Sequence, residues 1–220
     1  MGHNVVCISR QEGAQAPEIA LAAAELLGFR LIDEDIVARA AVEAGVECEV
    51  IADLERGRTT LVRLIEEFGA GGMGAGYLAP IPDTGGGGQP AGDELRGLIR
   101  SVIEEFAAEG KAVILAHAAS LALAQREDVL RVLITACREE RARRLATTLG
   151  IEQKQAARAI KQSDAGRADY LKRFYGVGAE LPTHYDLVIN TDRLTAEHAA
   201  RLIVAAASPA NVIKPAIASS

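Results

Sequence analysis

A basic strip from Arg138 to Arg173 holds the side chains of this sequence best suited to chemistry. Arg141 and Arg144 are three positions apart, so a helix places them on one face. Guanidinium groups fixed in this way can stabilise the negative charge of a transferring phosphoryl group. A solvated helix face with ordinary ion pairs explains the same pattern, and both interpretations stay open at this point.

The strip continues with Lys161, Asp164 and Arg167. The residues Asp164, Ala165 and Gly166 predict a turn, with Lys161 on one side and Arg167 on the other. A helix over residues 152–162 is therefore predicted to end before this turn.

The loop after the first predicted strand is a second candidate site. In a parallel sheet the ligand crevice lies at the carboxyl ends of the strands, and a following helix directs its unpaired amides toward the loop. Pro17 removes one such donor, Glu12 and Glu18 would repel a phosphate, and the GxxxxGK[ST] pattern is missing. A plain connection between strand and helix therefore remains an alternative. The candidate binding residues of the loop are Ser9, Arg10, Gly13, Ala14, Gln15 and Ala16.

Short apolar runs and helical periodicities alternate along the chain, which predicts an α/β fold with a parallel sheet covered on both faces. We expect one domain over residues 1–207 and a tail over 208–220. Ten of the 21 glycines fall within residues 69–92, which we interpret as a loop or a mobile flap. The predicted strands cover 5–9, 29–32, 112–116, 130–135 and 185–190. The predicted helices cover 17–27, 33–44, 50–68, 93–108 with Asp93 as N-cap, 138–149, 152–162 and 195–207.

Composition excludes several classes of function. The net charge of -6 and the absence of Trp argue against a nucleic-acid surface. No window has the length and apolar character of a membrane span, so we expect no membrane partner and a cytoplasmic location. The three cysteines and four histidines are scattered, which predicts reduced thiols and no metal site built from protein ligands. Alanine-rich first and last helices suggest a homodimer as one further expectation.

Taken together, these segments resemble the cytidylate kinase-like family, a branch of the P-loop nucleoside monophosphate kinases. The similarity lies in the order and spacing of segments over about residues 4–206. The segments that carry it are Val5 to Gln11, Glu18 to Ala20, Leu26 to Asp33, Ala112 to Ala116, Val129 to Ala136 with Arg141 and Arg144, the set Ile160, Asp164, Arg167, Tyr170 and Phe174 to Gly176, and Tyr185 to Thr191.

The resemblance implies a P-loop NTPase-like three-layer fold with a five-stranded parallel sheet, a helical lid segment over about residues 150–176 and a glycine-rich insertion. It also implies transfer of the γ-phosphoryl group of ATP, with Mg, to a pyrimidine nucleoside monophosphate. On this basis residues 9–16 would surround the donor phosphates, and Asp33 would lie near the acceptor, with His117 as a weak substitute donor. The residues that would close over the transferring group are Arg141, Arg144, Lys161, Asp164 and Arg167.

The departures from the family pattern fall in the phosphate loop. The family typically has Gly-Ser-Gly-Gly-Arg there, whereas this chain has Gly13-Ala-Gln-Ala-Pro17. After the third strand the family has Gly-Arg, and here the residues are Ala116 and His117. Two functions therefore follow from the sequence. The first is a binder of a nucleotide or another phosphorylated small molecule, with phosphotransferase activity left open; the second is a catalytically inactive regulatory or interaction module.

Overall fold

The computed structural model describes residues 2–33, 90–116 and 119–208. Its five strands are β1 (Val5–Arg10), β2 (Arg30–Asp33), β3 (Ala112–Leu115), β4 (Val129–Thr135) and β5 (Leu187–Asn190). Its helices are α1 (Ala16–Leu27), α2 (Pro90–Glu109), α3 (Ala119–Ala122), α4 (Arg138–Leu149), α5 (Gln153–Tyr175) and α6 (Ala196–Ala207), with a 3-10 turn at Pro182–His184. Within the described ranges, no helix is both long enough and apolar enough to cross a membrane.

The strands form one parallel sheet in the order β2-β3-β1-β4-β5. The predicted five-stranded parallel sheet is therefore confirmed. Strand β1 is central, with Cys7 opposite Ile114 on one side and Arg131 on the other. The connection after β1 leads to β2 at one edge of the sheet, whereas the connection after the neighbouring β4 leads to β5 at the other edge. Ligand crevices of open α/β sheets lie at such a position, beyond the carboxyl ends of the strands.

The side chains of β1 alternate between two hydrophobic cores because successive residues of a strand point to opposite faces. Val6 and Ile8 pack on one face, where α1 and α6 cover the sheet. Val5 and Cys7 pack on the other face, where α2 and α3 cover it. The result is a three-layer arrangement with no charged side chain on β1 before Arg10.

The alanines of α1 and α6 account for the close approach of these two helices. Ala20 and Ala23 of α1 are fully buried, as are Ala199 and Ala200 of α6, and all four belong to the same core. Small side chains let two helix backbones approach closely, so these alanines form an internal contact. The homodimer stays a prediction.

Two boundary predictions are wrong. Residues 164–166 form no turn, because α5 runs without interruption through them. A glycine inside a helix costs about 1 kcal/mol relative to alanine, and the packing of Ala156, Ala159 and Ile160 against α4 opposes that cost. The helix α2 begins at Pro90 rather than after an Asp93 cap, since proline is well suited to the first turn of a helix. The helices predicted over 33–44 and 50–68, most of the glycine-rich segment and the C-terminal tail lie outside the described residues.

Candidate functional site

The loop between β1 and α1 lies at the carboxyl edge of the sheet and is fixed by its own backbone. The Gln11 amide donates to the Ile134 carbonyl of the neighbouring strand, at 3.1 Å, and the Ala14 amide donates back to the Gln11 carbonyl at 3.1 Å. Gly13 and Gln15 both have positive φ angles, 77° and 64°. The chain therefore makes a tight turn that delivers it into the first residue of α1.

Glycine is required at position 13 by a close contact with α4. A Cβ atom added there would lie 2.8 Å from the Arg141 carbonyl oxygen and 3.0 Å from the Arg141 Cβ. Non-bonded carbons do not approach backbone atoms so closely, and the φ of 77° is itself unfavourable for other residues. The single glycine retained from the family pattern is thus the one that lets the loop and α4 touch.

The side chains of the predicted loop residues differ in their burial and in their hydrogen-bond partners. Ala14 and Ala16 are buried, with their methyl groups in the core beneath α1, so they can meet a ligand only through their backbone. Ser9 lies below the loop, where its hydroxyl is 3.1 Å from the Ser120 hydroxyl. Arg10 pairs with Glu12 at 3.5 Å.

Four amides of this loop have no hydrogen-bond acceptor within the described part of the chain, and one of them belongs to the buried Ala16. Those of Glu12, Gly13, Gln15 and Ala16 donate a hydrogen bond to no other described residue. Unpaired amides before the first turn of a helix favour anions, both as donors and through the helix dipole. The loop therefore has backbone donors at a position that favours anions, without the lysine of the usual phosphate loop.

Arg141 is buried beneath the loop and holds it to two helices. Its side chain is 2% exposed, and it donates to the carbonyls of Glu12, at 3.3 Å, and Ala136, at 3.0 Å. It also donates two hydrogen bonds to Asp164 of α5, at 2.8 and 2.9 Å. Burial alone would raise the pKa of Asp164, but the hydrogen bonds from Arg141 and Arg138 lower it below its ordinary value. Arg141 thus fixes the shape of the loop from behind.

Arg144 makes an equivalent connection to the end of the sheet. It donates to the hydroxyl of Thr191, at 3.0 Å, and to its carbonyl, at 2.5 Å, and it pairs with Glu140 at 2.9 Å. The buried Thr191 hydroxyl in turn lies within hydrogen-bond distance of the Ala14 carbonyl, 3.1 Å away. Arg144 therefore acts on the loop through Thr191.

Arg167 of α5 is, after Arg141, the second buried arginine of the site. Its Nε and Nη2 atoms donate to the two carboxylate oxygens of Glu180, at 2.9 and 2.5 Å. The Tyr185 hydroxyl donates to the same carboxylate. Burial together with this contact raises the pKa of Tyr185 to about 12, and Arg167 lowers the pKa of Glu180 in spite of its burial.

A cavity of about 180 Å³ opens between the loop, α5 and the segment that follows α5. Gln11, Arg138, Asp164, Arg167 and Glu180 supply its polar lining. The structure therefore places Gln11 of the loop beside Asp164 and Arg167.

Other predicted site residues lie elsewhere. Lys161 is exposed on α5 and does not line the cavity. Asp33 ends β2, at the far side of β3 from the loop. His117 lies outside the described residues.

Four contributors were not among the predicted site residues, although Arg138 begins the basic strip: Gln11, Arg138, Glu180 and Tyr185. Gln11 carries a usable signal, since it lies within the loop itself, and its side chain accepts a hydrogen bond from Thr135 at 2.6 Å. Glu180 carries none, because it reaches the site only when the chain after α5 folds back.

The family model of the cytidylate kinase-like family matches residues 5–193 of this sequence. The chain belongs to the cytidylate kinase-like family. The matched range includes the loop, all five strands and the arginines of α4 and α5, so this family member keeps the scaffold while its phosphate loop departs from the usual pattern. No curated protein sequence matches it.

Solved structures are similar to this family member at different levels. A protein of uncharacterised function from Eubacterium ventriosum has a TM-score of 0.63 at 14% identity, covering 91% of this chain and 95% of the other. The protein TT1252 from Thermus thermophilus has a TM-score of 0.51 at 16% identity, covering 97% and 100%. A shikimate kinase from Bacteroides thetaiotaomicron has a TM-score of 0.48 at 17% identity, covering 90% and 95%. The family match thus identifies a kinase-like nucleotide-binding fold, and the first two structures share its architecture.

The magnesium ion that the family implies does not fit the side chains of this crevice. Among the residues that the structure describes, no three His, Cys, Asp or Glu side chains are grouped to hold a metal. The first turn of α1 offers no hydroxyl at Ala16 or Pro17, and both oxygens of Asp164 accept from Arg141. Magnesium in nucleotide sites is usually held by one or two carboxylates together with phosphates and water. We therefore derive no step that depends on a protein-held metal ion.

Proposed function

We propose that this protein binds the phosphate groups of a nucleotide, or of another small phosphorylated molecule, at the loop between β1 and α1. The observation that carries the proposal is the group of four loop amides that donate to no other described residue. Backbone amides at the start of a helix bind phosphate without needing a charged side chain. The cavity beside the loop adds Arg138 and the Gln11 side chain as further donors.

The shape of the loop decides whether these amides converge. Gly13 sets that shape, because it contacts Arg141 with no room for a Cβ atom. Arg141 in turn fixes the loop backbone by donating a hydrogen bond from Nη1 to the Glu12 carbonyl, at 3.3 Å. Binding should therefore depend on Gly13 more than on any single charged side chain of the loop.

Calorimetric titration with ATP and Mg tests the proposal. The variant Gly13→Ala is expected to lose binding, since the loop must shift to make room for the new methyl group. Gly28→Ala is the matched control, because Gly28 also has a positive φ, of 65°, but nothing lies within 4 Å of a Cβ added there. Equal affinity in the wild type, Gly13→Ala and Gly28→Ala would refute binding at this loop, as would an absence of heat at millimolar ATP.

Phosphoryl transfer from ATP to a pyrimidine nucleoside monophosphate is a second candidate function. It is favoured by one observation: Asp164 and Arg167 of the lid segment line the same cavity as Gln11 of the loop. A coupled assay of ADP release with ATP, Mg and CMP separates this function from binding alone. Turnover that disappears in Arg167→Ala would support transfer. Binding without turnover would support the inactive regulatory module that the phosphate-loop departures also suggest.

A further inference from the structure

Glu180 accepts hydrogen bonds from Arg167, and both residues line the candidate crevice. It lies in the segment between α5 and the 3-10 turn, and its carboxylate is held by Arg167 and by the Tyr185 hydroxyl. The Arg167 side chain is 7% exposed and that of Glu180 is 16% exposed. This pair is therefore shielded from solvent, unlike the surface pair between Arg30 and Glu109.

Arg167 binds Glu180 through two parallel hydrogen bonds, as arginines bind phosphate groups. Arg167 uses Nε and Nη2 together, one for each carboxylate oxygen. An arginine binds two phosphate oxygens through the same paired donors. Arg167 cannot give both of these hydrogen bonds to a ligand while Glu180 accepts them.

A phosphate in the cavity would compete with Glu180 for Arg167, because both residues line the same space. Both Arg167 and Glu180 line the cavity of about 180 Å³, together with Gln11 from the loop. This space is several times the volume of one water molecule, about 30 Å³, so a phosphate group can enter beside the pair. A phosphate there would meet a second anion, and two like charges in a partly desolvated site repel strongly.

We propose that Glu180 competes with the phosphate of the ligand for Arg167 and thereby lowers the affinity of the crevice. Tyr185 assists by donating to the carboxylate and keeping it against the arginine. The inference rests on the proposed function, because it assumes that phosphate enters this crevice. It predicts that the affinity rises when the Glu180 carboxylate is neutralised, whereas a purely structural role predicts that it falls.

The experiment is a titration of Glu180→Gln with ATP beside the wild type. Glutamine keeps the size of the side chain, and its one carbonyl oxygen can still accept from Tyr185 and from Nη2 of Arg167. Its amide nitrogen cannot accept from Nε of Arg167, and the side chain carries no charge. We expect the Kd for ATP to fall about tenfold as the like-charge repulsion disappears. Glu109→Gln is the control, since it removes the same charge from another Arg–Glu pair at the amino edge of the sheet and should leave the Kd unchanged. An unchanged or weaker affinity in Glu180→Gln would overturn the inference, and so would equal tightening in Glu109→Gln.

A measurement on the wild type keeps the test decisive if Glu180→Gln fails to fold. The side-chain Nε resonance of Arg167 should move on saturation with ATP, because the arginine changes its hydrogen-bond partner. A stationary resonance under saturating ATP would also overturn the inference. Binding that is lost in Gly13→Ala but insensitive to Glu180 would refute the inference alone. Absence of binding in all variants would refute the proposed function and the inference together.

Discussion

Replacing Arg141 by methionine should destabilise the protein severely. Methionine approximates the length of the arginine stem but removes all four hydrogen bonds that the guanidinium makes to Glu12, Ala136 and Asp164. The two carbonyls lose a charged donor, and Asp164 keeps only its contact with Arg138 at the site. Removing one partner of a buried ion pair costs about 3–5 kcal/mol. That is a large part of the 5–15 kcal/mol that stabilises a typical domain.

Urea denaturation at neutral pH measures this loss as a lower midpoint with an unchanged slope. The control is Arg143→Met on the same helix, since Arg143 is 60% exposed and pairs only with Glu140. Exposed ion pairs contribute about 0–1 kcal/mol, so this variant should be nearly as stable as the wild type. The double variant Arg141→Met/Asp164→Leu should recover part of the loss, because it removes the carboxylate that the single variant leaves without its main partner.

The same pair predicts a pH dependence with a definite sign. The folded state lowers the pKa of Asp164 below its ordinary value of 3.8. The pair therefore stabilises the fold fully at pH values above the ordinary pKa, and this contribution disappears as the pH falls below it. The stability difference between wild type and Arg141→Met should shrink in acid. An Arg141→Met variant that loses no more than Arg143→Met at neutral pH would refute the assignment of Arg141 as the link between the loop, α4 and α5.

Three further predictions concern other buried groups. Gly13→Ala should lower the urea midpoint more than Gly28→Ala, because only the first adds a backbone contact to the strain of a positive φ; equal losses would contradict the contact. Tyr185 should ionise near pH 12, so stability should decline from about pH 10 upward, and Tyr185→Phe should abolish the last step of an absorbance titration at 295 nm. Brief alkylation at pH 8 followed by peptide mapping should modify the exposed Cys137 but not Cys7, whose burial raises its pKa to about 12; rapid labelling of Cys7 would argue against its position in the core.

The fold was largely predictable because its signals are local. Apolar runs of strand length alternate with helical periodicity, and that alternation predicts a parallel sheet wherever it occurs. Helix α4 has the predicted bounds, Arg138–Leu149, since Gly150 at its end adopts the left-handed conformation that commonly ends helices. The predicted turn at residues 164–166 was wrong because local propensity is weak compared with the packing of α5 on α4.

The candidate site was only partly predictable. The loop and the arginines are visible in the sequence as residue types, and the structure places Asp164 and Arg167 beside Gln11. The sequence does not show that Arg141 binds the backbone of the loop, or that Glu180 holds Arg167. Both facts depend on which carboxylate or carbonyl comes within about 3 Å of each guanidinium, and that depends on long-range packing.

By itself, the sequence determined the architecture, the family and the basic strip that supplies the arginines near the crevice. These follow from patterns that span a few neighbouring residues, or from the order of segments along the chain. Only the tertiary structure decided the partner of each arginine, since Arg141 and Asp164 are 23 positions apart and Arg167 and Glu180 are 13 apart. Hydrogen bonds and ion pairs act over a few ångströms, so the basic strip of the sequence becomes a network of carboxylate-bound arginines only once α4, α5 and the following segment are packed together.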